Sequence, residues 1–301
     1  MNGLVFNRGL TPKAVVPIIC EVLDNSLIPN VLVGDAMLGI MGAPIFPRCL
    51  QFIVPDEHID AAIKVLESAG FPRCNDLNGC RRYSTHFPLA PAHFHLWDDE
   101  DAGTTDPGKL CIFPKSEMLW SFPSFPFYVS DTDDPYFMTI TDERLPDQPN
   151  EKELFGRYPA DTYPVRIPVP IKACEAAMLL YCRDQELKLN NAAWEVWLTK
   201  LGQYVSQTDL YQIGRTIDKD GKEECPYAGF WNEVKGSQNR YWPKYLWKLR
   251  IKILQRRGEP ILPELQWPGL PGEDKEKEER KEAEARLSPL RKFFAFDRCI
   301  M

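Results

Sequence analysis

The chain has 301 residues, 44% of them hydrophobic and 12% aromatic, which excludes a disordered protein. Its formal net charge of -7 argues against nucleic acid as the main ligand of the whole surface. No apolar run approaches the roughly 20 residues of a membrane helix, and residues 1–10 lack the pattern of a secretory signal. The 9 cysteines are scattered, which favours reduced thiols in a cytoplasmic protein.

The first predicted elements alternate between helix and strand. Apolar residues at helical spacing predict a helix from Pro12 to about Leu27, entered through a threonine and a proline. A strand is predicted over Val31–Val33, a short helix over Asp35–Met41 and a strand over Cys49–Val54. Both faces of the last strand are largely apolar, so we expect it in the middle of a covered sheet. A helix from Asp56 to about Ala69 follows.

Three further strands are predicted, over Arg82–Phe87, His93–Trp97 and Leu110–Phe113. Prolines then recur from Pro114 to Pro168, which predicts irregular wrapping and a linker because proline removes ladder donors and stops helices.

The rest of the chain has helical patterns. Apolar residues at helical spacing predict helices over Pro170 to about Glu186, Asn191 to about Val205, and Tyr241–Arg257. Acids and bases alternate over Glu273–Arg286, which is typical of a solvated helix stabilised by its own ion pairs.

The order of strand, glycine turn, short helix and strand over Val31–Pro55 resembles the opening of the nucleotidyltransferase fold. In that family a Gly-Gly or Gly-Ser turn precedes the helix, and the next strand has two metal-binding carboxylates at a spacing of two, which point the same way. Similar fungal proteins often show Asp-Leu-Asp-Ile-Cys-Val-Pro where this chain has Cys-Leu-Gln-Phe-Ile-Val-Pro over 49–55. The alternative is a generic strand–turn–helix in which Gly34 serves a tight bend.

The resemblance implies an α+β fold, with a nucleotidyltransferase-like mixed sheet and flanking helices followed by a helical C-terminal region. We expect an α+β domain over 1–165, with a Pro-rich linker from about 114, and a helical domain over 166–301 that ends in the charged helix. Residues 169–184 match the first helix of the usual C-terminal bundle of the family.

Carried over residue by residue, Gly34 matches the first turn glycine, and Asp35 replaces the second glycine or serine. Cys49 and Gln51 occupy the two carboxylate positions, where a thiolate and a neutral amide hold magnesium poorly. Gly34 predicts a cradle for a phosphate or carboxylate. Asp35 would repel such an anion, and as an N-cap it needs no ligand.

Two other groups of residues suggest chemistry. His93 and His95 lie on one face of a strand with acids at 98–100 beyond them, so they could hold zinc with an acid or act as acid and base. The alternative places both histidines on a surface strand, bonded to their neighbours. Cys74 and Cys80 have arginines beside them that would lower a thiol pKa, although their spacing is not that of a zinc knuckle and ordinary thiols are the alternative.

The segment 240–257 interleaves cations with tyrosine and tryptophan, as an RNA-binding surface does. Lys248, Lys252 and Arg256 fall on one side of the predicted helix. An amphipathic helix with a solvated basic face has the same pattern.

These observations leave three hypotheses. The preferred one is a nucleotidyltransferase-like pseudoenzyme without metal carboxylates, which binds a nucleotide-like or other small ligand in the cleft between the two halves through Gly34, Asp35 and Gln51, or acts as a scaffold. The second is a metal-independent enzyme of specialised biosynthesis, and its candidate catalytic groups are Asp35, Cys49, His93 and His95. The third is an RNA- or tRNA-associated factor. We predict no cofactor, no bound metal and no membrane partner; the sequence sets no oligomeric state.

Overall fold

The computed structural model describes residues 6–47, 49–76, 80, 90–96, 108–127, 134–147, 155–186, 192–205, 210, 250–251 and 255. The chain divides into two compact units, 1–242 and 243–301. The strands and the helices up to residue 203 belong to the first unit. The predicted domain boundary near 165 stays a prediction.

Helices and strands alternate through the first part of the chain, as predicted. Their bounds are α1 Pro12–Asp24, β1 Val31–Val33, α2 Gly34–Ile40, β2 Cys49–Val54, a 3₁₀ turn at Asp56–His58, α3 Ile59–Ser68, β3 Ala92–His95, β4 Lys109–Pro114, α4 Lys115–Met118, β5 Phe137–Thr139, β6 Arg166–Pro168, α5 Pro170–Glu186 and α6 Ala192–Gln203. The predicted strand over 82–87 lies outside the described residues.

Strands β1 to β4 form one mixed sheet in the order β1-β2-β4-β3. Strand β2 runs antiparallel to β1 and parallel to β4, and β3 runs antiparallel to β4. The prediction that Cys49–Val54 lies in the middle of a covered sheet is confirmed, because β2 has a neighbour on each side and five of its six residues are buried. The predicted α+β class, a small mixed sheet with flanking helices, is confirmed as well.

Helix α1 begins where the sequence predicts and ends three residues early. The Thr11 hydroxyl caps it by accepting a hydrogen bond from Ala14 N at 3.3 Å. Pro17 inside the helix cannot donate to the Lys13 carbonyl, and that carbonyl accepts from the Tyr158 hydroxyl at 3.0 Å instead. The helix ends at Asp24, and Leu27 turns the chain with a φ of 56°.

Two strands lie within the proline-rich segment that was predicted to be irregular. Strands β5 and β6 pair antiparallel, with Met138 opposite Ile167. The prediction was wrong here because each strand has only three residues, too few for a period-two pattern to be recognised. Pro168 is tolerated because both strands of a two-stranded sheet are edge strands.

A buried ion pair joins α1 to β6. Arg166 is 2% exposed and donates from Nη2 to Asp24 Oδ1 at 2.5 Å and from Nε to the Asn30 carbonyl at 2.8 Å. The Asp24 carboxylate also accepts from Asn30 Nδ2 at 2.8 Å and from the Tyr163 hydroxyl at 3.0 Å. These hydrogen bonds offset the cost of placing the two charges in the interior.

Helices α5 and α6 confirm the first two helices predicted after residue 168. Only residues 250, 251 and 255 of the helix predicted over 241–257 are described, and the charged helix predicted over 273–286 lies outside the described residues. They pack against each other, and Trp194 Nε1 on α6 donates to Asp184 Oδ2 on α5 at 2.5 Å. Helix α6 also contacts α2. None of the helices over the described residues has the length and apolar character needed to cross a membrane.

Candidate functional site

One face of the four-stranded sheet collects polar side chains. The register pairs Gln51 with Cys111 and Cys111 with His93, so these three side chains form one row across the strands. Residues two positions along point the same way, and the register forms a second row of Cys49, Lys109 and His95. Among the described residues of these two rows, none is a carboxylate.

The half of this face nearer to β1 contains the two residues that the sequence resemblance assigns to metal positions. We call Cys49 and Gln51 on β2, together with Cys111 on β4, the inner positions. The Cys49 thiol donates to Cys111 Sγ over 3.2 Å, and Gln51 is 3% exposed. The sequence identified Cys49 and Gln51, whereas Cys111 was missed because only the parallel pairing of β2 with β4 brings it beside them.

The Gln51 side chain lies directly over Gly34. Gly34 has a φ of 77°, and a Cβ built on it would lie 1.9 Å from Gln51 Oε1 and 2.7 Å from Gln51 Cδ. The amide therefore fills the space above the glycine turn that the family resemblance assigns to a ligand. Within the described residues, Oε1 is buried and accepts no hydrogen bond.

Asp35 is not the N-cap that the sequence predicts. Strand β1 runs directly into α2, which begins at Gly34, so Val33 takes the cap position and Asp35 lies in the first turn. A carboxylate there is favoured by the helix dipole, which explains the residue without a ligand. Its negative charge also raises the pKa of the Cys49 thiol.

The chemistry of Cys49 is that of a protonated thiol. Burial raises its pKa most, and the hydrogen bond to Cys111 raises it further, while the Lys109 charge opposes both. A protonated thiol is a weak nucleophile and a weak metal ligand. The catalytic role predicted for Cys49 stays a prediction.

Magnesium does not fit the inner positions. The ion requires oxygen ligands in near-octahedral geometry, and the inner positions offer two sulfur atoms and one amide. Lys109 is buried, and its positive charge acts on Cys49, so a cation at the inner positions would be repelled. The residues present therefore do not replace the carboxylates of the family.

The half of the face at β3 holds a second group, which we call the outer cluster: Cys74, Cys80, His93 and His95. One ligand atom from each residue lies within 4.8 Å of all the others. Cys80 Sγ is 3.4 Å from His93 Nε2 and 3.4 Å from His95 Nε2. The sequence identified both pairs but did not join them, and it paired the histidines with the acids at 98–100, which lie outside the described residues.

His93 is not on the surface. Its side chain is fully buried, and its Nε2 atom lies against the Cys80 thiol on this face of the sheet. Burial, followed by the positive charges of His95 and Lys109, lowers the pKa of His93 to about 4. At neutral pH the imidazole is therefore uncharged, which removes it as a proton donor there.

The expectation that arginines activate Cys74 is wrong. Burial raises the pKa of the Cys74 thiol most, the hydrogen bond to the Asp76 backbone opposes it, and Cys80 raises the pKa further. The Arg73 guanidinium is instead engaged by Glu67 at 3.4 Å.

The predicted RNA-binding surface cannot be placed on this site. Lys248, Lys252 and Arg256 lie outside the described residues, which in this segment are only Arg250, Ile251 and Gln255. The RNA hypothesis and the ligand-binding role of these three residues stay predictions.

Comparisons with known proteins give one weak similarity. No protein-family model matches the chain, and no curated protein is significantly similar to it. Among solved structures, it is similar to the antibiotic-resistance factor ANT(2'')-Ia, with 11% identity over 66% of this chain and 92% of that chain and a TM-score of 0.32. A score this low shows no common fold or activity.

Proposed function

We propose that this chain is a nucleotidyltransferase-like protein that does not perform two-metal nucleotidyl transfer and acts as a binding or scaffold module. Two-metal chemistry needs carboxylates that hold both cations against the triphosphate and the attacking hydroxyl. The observation that carries the proposal is the composition of the inner positions. A thiol pair and a neutral amide stand there, and the amide fills the space over Gly34.

The contacts of Gln51 support a site that is closed to a phosphate. An anion would have to displace the buried Gln51 amide before it reached the Gly34 backbone. It would also meet the Asp35 carboxylate in the first turn of α2. A nucleotide-like ligand, if bound, is therefore expected to bind without the magnesium-bridged triphosphate geometry of the family.

Isothermal titration with ATP, in magnesium and in chelator, tests the proposal, with product analysis of the same samples. We expect magnesium not to promote ATP binding and no nucleotidyl transfer or pyrophosphate release. Binding that is equal in both buffers would indicate a nucleotide-binding module, and no binding would indicate a scaffold. Magnesium-promoted binding with turnover would overturn the proposal.

A matched variant makes the titration sharper. The double substitution Cys49→Asp with Gln51→Asp restores the family's two carboxylates on the same face of β2. If this variant gains magnesium binding that the wild type lacks, the side chains at these two positions are responsible. If both proteins bind magnesium alike, the inner positions are not what determines metal binding.

A further inference from the structure

The outer cluster combines four side chains of the types that bind zinc. Two thiols and two imidazoles converge so closely that all four ligand atoms lie within 4.8 Å of one another. Structural zinc sites in proteins use such Cys₂His₂ sets. No other group of three or more metal-ligating side chains is found among the described residues.

The measured distances match the edges of a zinc tetrahedron. Zinc bonds of about 2.3 Å to sulfur and about 2.0–2.1 Å to nitrogen, at the tetrahedral angle, separate a sulfur from a nitrogen ligand by about 3.6 Å. Cys80 Sγ lies 3.4 Å from the Nε2 atoms of both His93 and His95. Two edges of the tetrahedron are therefore already formed to within a few tenths of an ångström.

The backbone holds the two halves of the cluster together. Cys74 N donates to the His93 carbonyl at 2.9 Å, and His95 N donates to the Pro72 carbonyl at 2.9 Å. These bonds flank a bridge between Arg73 and Phe94, so residues 72–74 run along the edge of β3. One cysteine is thereby placed beside two histidines that project from the same face of the strand.

We propose that Cys74, Cys80, His93 and His95 bind one zinc ion as a closed, four-coordinate structural site. Both thiols lose their protons on binding, and these protons pass to the solvent. The two thiolates balance the charge of the ion, while the imidazoles bind as neutral ligands. Soft sulfur and imidazole donors select zinc over magnesium or calcium, which prefer oxygen.

A site with four protein ligands leaves no position for a substrate, so its role is to stabilise the fold. Strand β3 is at the edge of the sheet, and an unpaired edge exposes backbone donors and acceptors. The ion ties Cys74 and Cys80 to the two histidines of β3 and so keeps this edge covered. This inference does not depend on the proposed function, because the outer cluster and the inner positions share no residue.

The test uses the full chain, stripped of metal under reducing conditions and reloaded with zinc alone. We expect one zinc ion per chain by elemental analysis. X-ray absorption at the zinc edge should show two sulfur neighbours at about 2.3 Å and two nitrogen neighbours at about 2.0–2.1 Å. A protein that retains no zinc, or that binds zinc with fewer than two sulfur ligands, overturns the proposal.

Variants identify the ligands. Cys74→Ser with Cys80→Ser is expected to abolish zinc retention, and Cys49→Ser, a half-buried thiol of the same sheet face outside the cluster, is expected to retain one equivalent. Zinc lost from the control and kept by the double variant would overturn the assignment. If the double variant does not fold, the sulfur count of the wild-type protein decides. A Cys74–Cys80 disulfide in protein purified under reducing conditions would also contradict the site.

Discussion

The inner positions and the outer cluster lie on one face of the same sheet, but they differ in the metal ions that their side chains can bind. At the inner positions a thiol pair and an amide stand where the family resemblance places carboxylates. In the outer cluster two thiols and two imidazoles converge within 4.8 Å. The sheet therefore determines where side chains meet, whereas the residue types determine which ion, if any, can bind there.

The largest expected effect on the free energy of unfolding comes from zinc binding to the outer cluster. At free zinc about 1,000-fold above its dissociation constant, the proposed site should raise the free energy of unfolding by about 4 kcal/mol relative to the metal-free protein. Urea unfolding with and without zinc, followed by tryptophan fluorescence, measures this difference. The Cys74→Ser, Cys80→Ser variant should unfold at the same urea concentration in both buffers. Equal midpoints for the wild type would contradict the site.

The buried ion pair of Asp24 with Arg166 gives a reference for the contribution of zinc to the free energy of unfolding. Arg166→Met should lower the free energy of unfolding by about 3 kcal/mol, because it leaves the Asp24 carboxylate in the interior without its cation. Arg157→Met is the matched control. Its partner Asp147 is 84% exposed, so the loss should be below about 1 kcal/mol. Equal losses in the two variants would show that burial of the Asp24–Arg166 pair is not what makes it costly to break.

At the inner positions, Gly34→Ala tests whether Gln51 fills the space over the glycine turn. We expect a loss of about 2 kcal/mol, because alanine is strained at a φ of 77° and its Cβ would overlap Gln51 Oε1. In a Gln51→Ala background the loss should shrink by about 1 kcal/mol. Gly9→Ala, where the nearest atom to the added Cβ is 3.5 Å away, should have little effect. Strictly additive effects at 34 and 51 would show that the two residues are not in contact.

The smallest effect is expected for Gln51→Leu. Within the described residues, the buried Oε1 of Gln51 accepts no hydrogen bond, so an apolar side chain of similar size should change the free energy of unfolding by less than about 1 kcal/mol. Denaturant unfolding of the variant beside the wild type measures the change. A loss above about 2 kcal/mol would mean that the amide makes a stabilising polar contact and does not only occupy space.

Local patterns predicted much of the sheet and its helices. Val31–Val33, Cys49–Val54 and the helix after Asp56 are recognisable because apolar spacing, glycine and proline act on near neighbours in the chain. The assignment of Cys49 and Gln51 to the two carboxylate positions of the nucleotidyltransferase fold rested on the resemblance alone and stays a prediction. Asp35 was misplaced as a cap because a strand that runs directly into a helix leaves no signal of its own.

The outer cluster could not be assembled from the sequence. Its cysteines lie between α3 and β3, their spacing matches no zinc-binding motif, and the histidines follow only after residue 90. What brings the pairs together is the backbone pairing of residues 72–74 with β3, a long-range contact that no local pattern encodes. The alternative that placed both histidines on a surface strand is wrong for His93, whose side chain is fully buried beside the Cys80 thiol.

An anomalous diffraction measurement on one crystal tests both halves of the comparison. The full chain would be crystallised with zinc and soaked in manganese, a stand-in for magnesium, and data would be collected at the absorption edge of each metal. We expect a zinc peak between Cys74, Cys80, His93 and His95 and no manganese peak beside Cys49 and Gln51. Manganese bound beside Gln51 would contradict the interpretation of the inner positions, and the absence of a zinc peak would contradict that of the outer cluster.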